Sequence, residues 1–216
     1  MSYQDFLARK KIIDLPSGFQ PEGLNKSLFD FQRDITAWSC RRGRSAIFAD
    51  CGCGKSPMQL AWAQQVLEKS NKPVLILAPN EVKKQTAREG NKFGIKVNVV
   101  AENNQIQKTI NVTNYERLHK FDVSQFGGIV LDESSILKSY DGATRDLIIT
   151  SFNQTPYKLA CTATPAPNDF MELGNHAEFL GVMSRVEMLA TFFVHDGGET
   201  SKWRLKGHAK HDFWKW

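Results

Sequence analysis

The 216-residue chain is poor in cysteine, with four, and holds no apolar run approaching the roughly 20 residues that span a bilayer. Four thiols (Cys40, Cys51, Cys53 and Cys161) in a chain of this length make no disulfide scaffold, so a reducing, cytoplasmic compartment is expected. The opening MSYQDFLARKK lacks the apolar stretch and small-residue cleavage site of a secretory leader, and no membrane partner is expected. Neither sign of charge dominates. The 28 Lys and Arg against 23 Asp and Glu leave +5, which permits a polyanionic partner without requiring one. Internal repeats and low-complexity tracts are also absent, which excludes a solenoid. What remains is an ordinary composition, 41% hydrophobic and 24% charged, in a length that suits one packed α/β domain with at most a small appendage.

Residues 1–27 carry Pro16, Gly18, Pro21 and Gly23 and read as a loop-rich lead-in. From Ser27, the pattern LFDFQRDITAWSCRR sets Phe31, Ile35 and Trp38 on one helical face and predicts a helix to about Arg42, with Gly43 as its stop. Short apolar runs then alternate with longer amphipathic ones. Strands are expected at 45–49, 73–78, 96–101, 109–113, 128–132 and 157–161, and helices at 56–69, 81–92, 143–152 and 168–180. This alternation predicts a mostly parallel sheet flanked by helices on both faces, with ligands beyond the carboxyl ends of the strands. Residues 181–216 lose the rhythm and form a basic, aromatic tail. Lys202, Arg204, Lys206, Lys210 and Lys215 stand there against Glu199 and Asp212.

After the first expected strand comes Ala49-Asp50-Cys51-Gly52-Cys53-Gly54-Lys55-Ser56, leading into a helix. Gly52 and Gly54 allow a tight turn whose N–H groups converge on phosphate oxygens, and the helix N-terminus adds partial positive charge. In this layout Lys55 reaches the β- and γ-phosphates and the Ser56 hydroxyl ligates Mg²⁺. The residues Asp50 to Ser56 are therefore the candidate ATP-binding loop. Cys51 and Cys53 form CxC rather than CxxC, with no further ligands nearby, which disfavours zinc.

The fifth expected strand ends in Asp132-Glu133-Ser134-Ser135. A carboxylate ending an apolar strand needs positive charge beside it, which a Mg²⁺ shared with Ser56 supplies. Asp132 is then the metal-side carboxylate and Glu133 the group that orients or deprotonates a water. The plainer reading is a helix N-cap. Thirty residues on, Thr162-Ala163-Thr164-Pro165 sets two hydroxyls beside a proline-fixed backbone, where they bridge the acidic pair to whatever lies across the cleft or form an ordinary turn. Gln32, on the first helix, carries an amide that matches the N6 and N7 edge of adenine, or is simply a solvated helical side chain.

The series LFDFQ, ADCGCGKS, LILAPN, VTNYERL, VLDESSILKS and ACTATPAPND, in this order, resembles the first RecA-like, ATP-binding lobe of superfamily-two helicases, and most of all Swi/Snf-type DNA translocases and helicase-like proteins of phages. The resemblance covers about 28–180 and implies an α/β RecA-like P-loop NTPase fold. It implies that Gln32 reads adenine, that Gly52, Gly54, Lys55 and Ser56 bind phosphates and Mg²⁺, and that Lys55, Asp132 and Glu133 serve catalysis. It further implies that Thr162 and Thr164 couple hydrolysis to lobe motion. Contacts to one DNA strand are implied near Pro79 and Asn80 and near Thr113, Asn114 and Tyr115. The chain departs from the family in having Ala49 where the generic phosphate loop has glycine, serines at 134 and 135, and Ala163 between the threonines.

A motor of this family has two lobes with ATP between them, the second supplying arginine fingers. After Pro165 only 51 residues follow, too few for that lobe. The chain is expected to bind Mg-ATP, to act with a second RecA-like lobe in cis or in trans, and to hydrolyse little alone. Trp203, Phe213, Trp214 and Trp216 either stack on bases or pack as core, with packing preferred. Two other readings stand beside the leading one: a non-catalytic DNA- or protein-binding module that retains the lobe, and an unrelated P-loop kinase or GTPase.

Overall fold

A computed structural model describes residues 16–138, 142–195 and 203–215. Six short Val-, Ile- and Leu-rich runs pair into one sheet: β1 (Arg44–Phe48), β2 (Val74–Ala78), β3 (Val97–Val99), β4 (Ile110–Asn114), β5 (Gly128–Asp132) and β6 (Tyr157–Thr162). Their order is β1-β6-β5-β2-β4-β3 and every pairing is parallel. In β2, β4 and β5 every residue is buried, as continuous apolar strands covered on both faces require. β3 is shorter than the expected 96–101 because it forms the sheet edge, where only β4 pairs with it.

Helix α1 (Asp30–Arg42) precedes β1 and ends at Gly43, whose φ of 76° suits a glycine. Helices α2 (Lys55–Ser70) and α3 (Lys83–Lys92) contribute to one face of the sheet. Met58, Leu60, Trp62 and Val66 of α2 pack there on Val74, Ile76, Val112, Val130 and Leu159. Helices α4 (Ala143–Ser151) and α5 (Leu173–Leu180) cover the opposite face through Ile148 and Phe179 against Leu75, Leu77, Ile129 and Leu131. The segment expected as one helix over 168–180 is divided. Asp169 caps a 3-10 turn at Phe170–Glu172 by accepting from Met171 N–H at 2.9 Å, and α5 starts only at Leu173.

The expected apolar stripe of α1 is split. Ile35 packs against the core, but Phe31 and Trp38 are 49% and 46% exposed, whereas Gln32, Thr36, Ser39 and Cys40 are buried. This helix is held by Ile35, small side chains and polar contacts.

Residues 181–216, expected as a basic, aromatic tail without the strand–helix rhythm, contain helix α6 (Arg185–Phe192) and an antiparallel hairpin of β7 (Phe193–His195) and β8 (Trp203–Leu205). A final helix, α7 (Lys210–Lys215), follows. The Ser184 hydroxyl caps α6 by accepting from Glu187 N–H, and the Glu187 carboxylate accepts from Ser184 N–H in return. Phe213 is buried at 3% exposure among Met171, Met188, Phe192 and Phe193, while Trp214 is 56% exposed. Trp216, Glu199, Lys202 and residues 1–15 of the lead-in lie outside the described residues. Among the described residues no helix is long and apolar enough to cross a membrane.

Candidate nucleotide site

The segment after β1 turns at Asp50–Cys53, where Cys53 N–H donates to Asp50 O at 3.3 Å. Gly52 and Gly54 hold φ values of 84° and 78°, which only glycine adopts without strain. Gly54 is the N-cap of α2, and a Cβ placed there would lie 2.2 Å from Nε2 of Gln32. Gln32, 5% exposed, is thereby wedged between α1 and the loop. Its Nε2 donates to Cys53 O at 3.3 Å and its Oε1 accepts from Phe29 N–H at 3.0 Å. The Lys55 ammonium folds over the loop and donates to Ala49 O at 2.8 Å and Asp50 O at 3.2 Å. Asp50 accepts from Cys51 N–H at 2.6 Å. Met58 onward, α2 is buried, so the loop rests on a rigid base while Cys51, Gly52 and Cys53 stay exposed.

Asp132 ends β5, in register with Cys161 of β6, which in turn lies opposite Ile47 of β1. One strand therefore separates the acidic end from the phosphate loop, and Lys55 comes within electrostatic reach of Asp132. Asp132 is 9% exposed. Burial raises its carboxyl above the ordinary range, and the like charge of Glu133 adds to this. Gln59 and Lys55 oppose it. Gln59 is fully buried and neither amide atom closes a hydrogen bond of ordinary length, so it acts on the carboxylate only through its dipole.

Glu133 adopts φ 61° without being glycine. Its Oε1 accepts from Ser135 Oγ at 2.7 Å and Thr162 Oγ1 at 2.6 Å, and Thr162 Oγ1 accepts from Thr164 N–H at 3.0 Å. The acidic turn and the turn after β6 are therefore one hydrogen-bonded unit.

Two further residues support this unit: Tyr115, which the sequence offered only as a DNA contact, and His176, which the sequence did not single out. The Tyr115 hydroxyl donates to Asp132 O at 2.7 Å from a ring that is 4% exposed. His176, on α5 and 2% exposed, joins Ser134 through Nε2 and Oγ at 3.0 Å and meets Phe48 edge-on at 5.3 Å. Burial lowers its imidazole to about 4, against a weaker upward pull from the Glu172 carbonyl, so the ring is neutral near pH 7. His176 thus touches both the acidic turn and the end of the strand that launches the phosphate loop. A lone histidine in a helix has no spacing to announce such a role.

Of the other candidates, Asn80 is exposed, and its Oδ1 accepts from Lys83 Nζ at 2.7 Å. Thr113 and Asn114 are buried at 0% and 7%, and Asn114 donates to Glu116 at 2.5 Å. The side chains of Thr113, Asn114 and Tyr115 therefore point into the protein, unlike that of Asn80. Ser56 and Asp132 offer only oxygen donors, and the buried carboxylate is short of positive charge. The pair suits a hard cation such as Mg²⁺.

Residues 19–167 match the family model described as type III restriction enzyme, res subunit. No curated protein sequence matches the chain. Among solved structures, the Sulfolobus solfataricus SWI2/SNF2 ATPase core in complex with dsDNA superposes with a TM-score of 0.68 at 22% identity, over 81% of this chain and 40% of that one. The UvsW helicase from bacteriophage T4 gives 0.59 at 18% identity, over 82% and 66%. The Pyrococcus furiosus Hef helicase domain gives 0.57 at 17%, over 70% and 35%. The chain thus spans less than two thirds of each of these proteins, and at such identities the likeness is one of fold. By its family match the chain belongs to the type III restriction enzyme res-subunit family, and its six-stranded parallel sheet has the RecA-like helicase fold.

Proposed function

We propose that this lobe binds Mg-ATP on the loop at Asp50–Ser56 and serves a DNA-dependent ATPase of the helicase or translocase kind. The observation that carries the reading is that Lys55 lies within electrostatic reach of Asp132, which Glu133 follows, at strand ends one strand apart. The loop's N–H groups and the N-terminus of α2 receive the phosphates, and Lys55 exchanges its loop carbonyls for phosphate oxygens. Ser56 and Asp132 would hold the magnesium ion, which when bound neutralises charge on the phosphates. Glu133, held by Ser135 and Thr162, orients a water on the γ-phosphate side and accepts its proton. Because Thr162 and Thr164 share that hydrogen-bond chain, a change at Glu133 reaches the turn after β6, where a second lobe would read it. Gln32 braces the loop, and its remaining amide hydrogen is the proposed donor to adenine. DNA is the proposed polyanionic partner, met at Pro79 and Asn80 and through the backbone near Thr113, Asn114 and Tyr115.

A second RecA-like lobe completes the site. Without its arginine fingers, residues 1–216 turn over ATP about 10³–10⁵ more slowly than the completed pair. Titration with a fluorescent ATP analogue in Mg²⁺ tests the reading. The chain binds it, competed by ATP in preference to GTP, and Lys55→Ala weakens binding by roughly tenfold or more. Equal affinity of the two proteins overturns the proposal.

A further inference from the structure

The phosphate loop carries a feature its proposed role does not use: two thiols flanking Gly52. Cys51 and Cys53 are both exposed, while Cys40 and Cys161 are fully buried. Burial pushes the Cys40 thiol up to about 12 and raises that of Cys161 as well, so those two stay inert thiols. The exposed pair is no half-built metal site. Among the described residues no third His, Cys, Asp or Glu joins it, and two thiolates alone fall short of a four-ligand centre.

The local geometry favours closure of the pair on itself. Cys51 and Cys53 occupy one turn, closed by the Cys53 N–H bond to Asp50 O. Turn residues two apart approach the separation of about 4.4–6.8 Å between Cα atoms that a disulfide bridges. Gly52 between them has no atom within 4 Å of where a Cβ would sit, so the backbone there can readjust without collision. Gln32 holds Cys53 O and packs beside Gly54, which confines the backbone readjustment to 51–52. The Lys55 ammonium on Ala49 O and Asp50 O, together with the N-terminus of α2, places positive charge beside any anionic reagent that enters.

We propose that Cys51 and Cys53 are a thiol-modification site for low-molecular-weight disulfides, and that its oxidation closes the phosphate loop to nucleotide. The Cys51 thiolate attacks one sulfur of the disulfide RSSR, forming a mixed disulfide and releasing RS⁻, which takes up the proton that Cys51 lost. The Cys53 thiolate then attacks the Cys51 sulfur, forming the intraloop disulfide and releasing the second RSH. The two cysteines are oxidised by two electrons and RSSR is reduced to two RSH. The bridge keeps the 51–53 N–H groups from turning together onto a phosphate. A thiol reductant reverses it.

The nucleotide part of this inference rests on the proposed function, so the test reads thiols and nucleotide separately. In the reduced, intact chain, a thiol reagent labels two cysteines quickly and two only on unfolding, and Mg-ATP slows the fast pair. Oxidised glutathione then gives a peptide over 51–53 that has lost two hydrogens by mass. Affinity for the fluorescent ATP analogue falls roughly tenfold or more and returns with reductant. The Cys53→Ser chain stops at the mixed disulfide on Cys51. The Cys51→Ser/Cys53→Ser chain, compared with its own untreated state, shows no response to oxidant. Failure to form the bridge, or a bridge that leaves affinity unchanged, overturns the inference. If the reduced chain binds no nucleotide yet forms the bridge, the proposed function fails and the modification site stands.

Discussion

The two halves of the site are built in opposite ways. The phosphate loop, 49–54, is exposed through Cys51–Cys53 and is held by its own backbone, one carboxylate, one ammonium and the wedge of Gln32. The acidic turn, 132–135, is buried at Asp132 and Ser134 and tied to three separate elements through Tyr115, Thr162 and His176. The loop can mould itself to a ligand. The turn is preorganised, so its carboxylates hold their aim before anything binds.

Mutation should expose this contrast, and the largest effect is expected at the turn. His176→Ala removes the partner of Ser134 and the ring against Phe48, and costs about 3 kcal/mol in chemical denaturation. The same ring predicts a pH signature. Its folded value of about 4 lies below the ordinary 6.5, so the unfolded chain takes up the proton first. Stability from this group is complete above pH 6.5 and drains away as pH falls toward 4, by about 3 kcal/mol in total. His176→Ala flattens that stretch of the stability profile. An unchanged profile in the variant breaks the assignment.

Within the loop, two glycines should separate. Gly54→Ala combines a left-handed φ with a Cβ that displaces Gln32, costing about 2 kcal/mol. Gly52→Ala has the same kind of φ but open space, costing about 1 kcal/mol. Equal losses would mean that Gln32 does not brace the loop. The smallest effect belongs to Asp50→Ala, within about 0.5 kcal/mol, because its bond to Cys51 N–H is solvent-exposed. A loss at Asp50 as large as at His176 would erase the distinction between the two halves.

Much of this architecture was legible because strand chemistry is local. Short apolar runs ending in Phe48, Asp132 and Thr162 mark the sheet, and the rule that sites lie at carboxyl ends collects Lys55, Asp132 and Thr162 on one rim. The misses share a cause: contacts made across the fold. The exposure of Phe31 and Trp38 follows from Gln32 reaching the loop, which helical periodicity cannot show. His176 gains its place only when α5 docks behind the acidic turn. The burial of Tyr115 depends on β5 lying two strands away. One miss was readable. Ser184 and Glu187, three residues apart before an apolar run, spell the start of α6, and the loss of strand–helix rhythm beyond it hid it.

Glu133 sits where two demands collide. The backbone at that point asks for a residue without a side chain, at a cost of roughly 1–2 kcal/mol for anything else, while the hydroxyls of Ser135 and Thr162 ask for a carboxylate oxygen. Glycine would relax the bend and leave both donors empty-handed; glutamate satisfies them and keeps the bend under tension. The two hydroxyls therefore hold in place a bend that the backbone of an L-residue does not favour by itself.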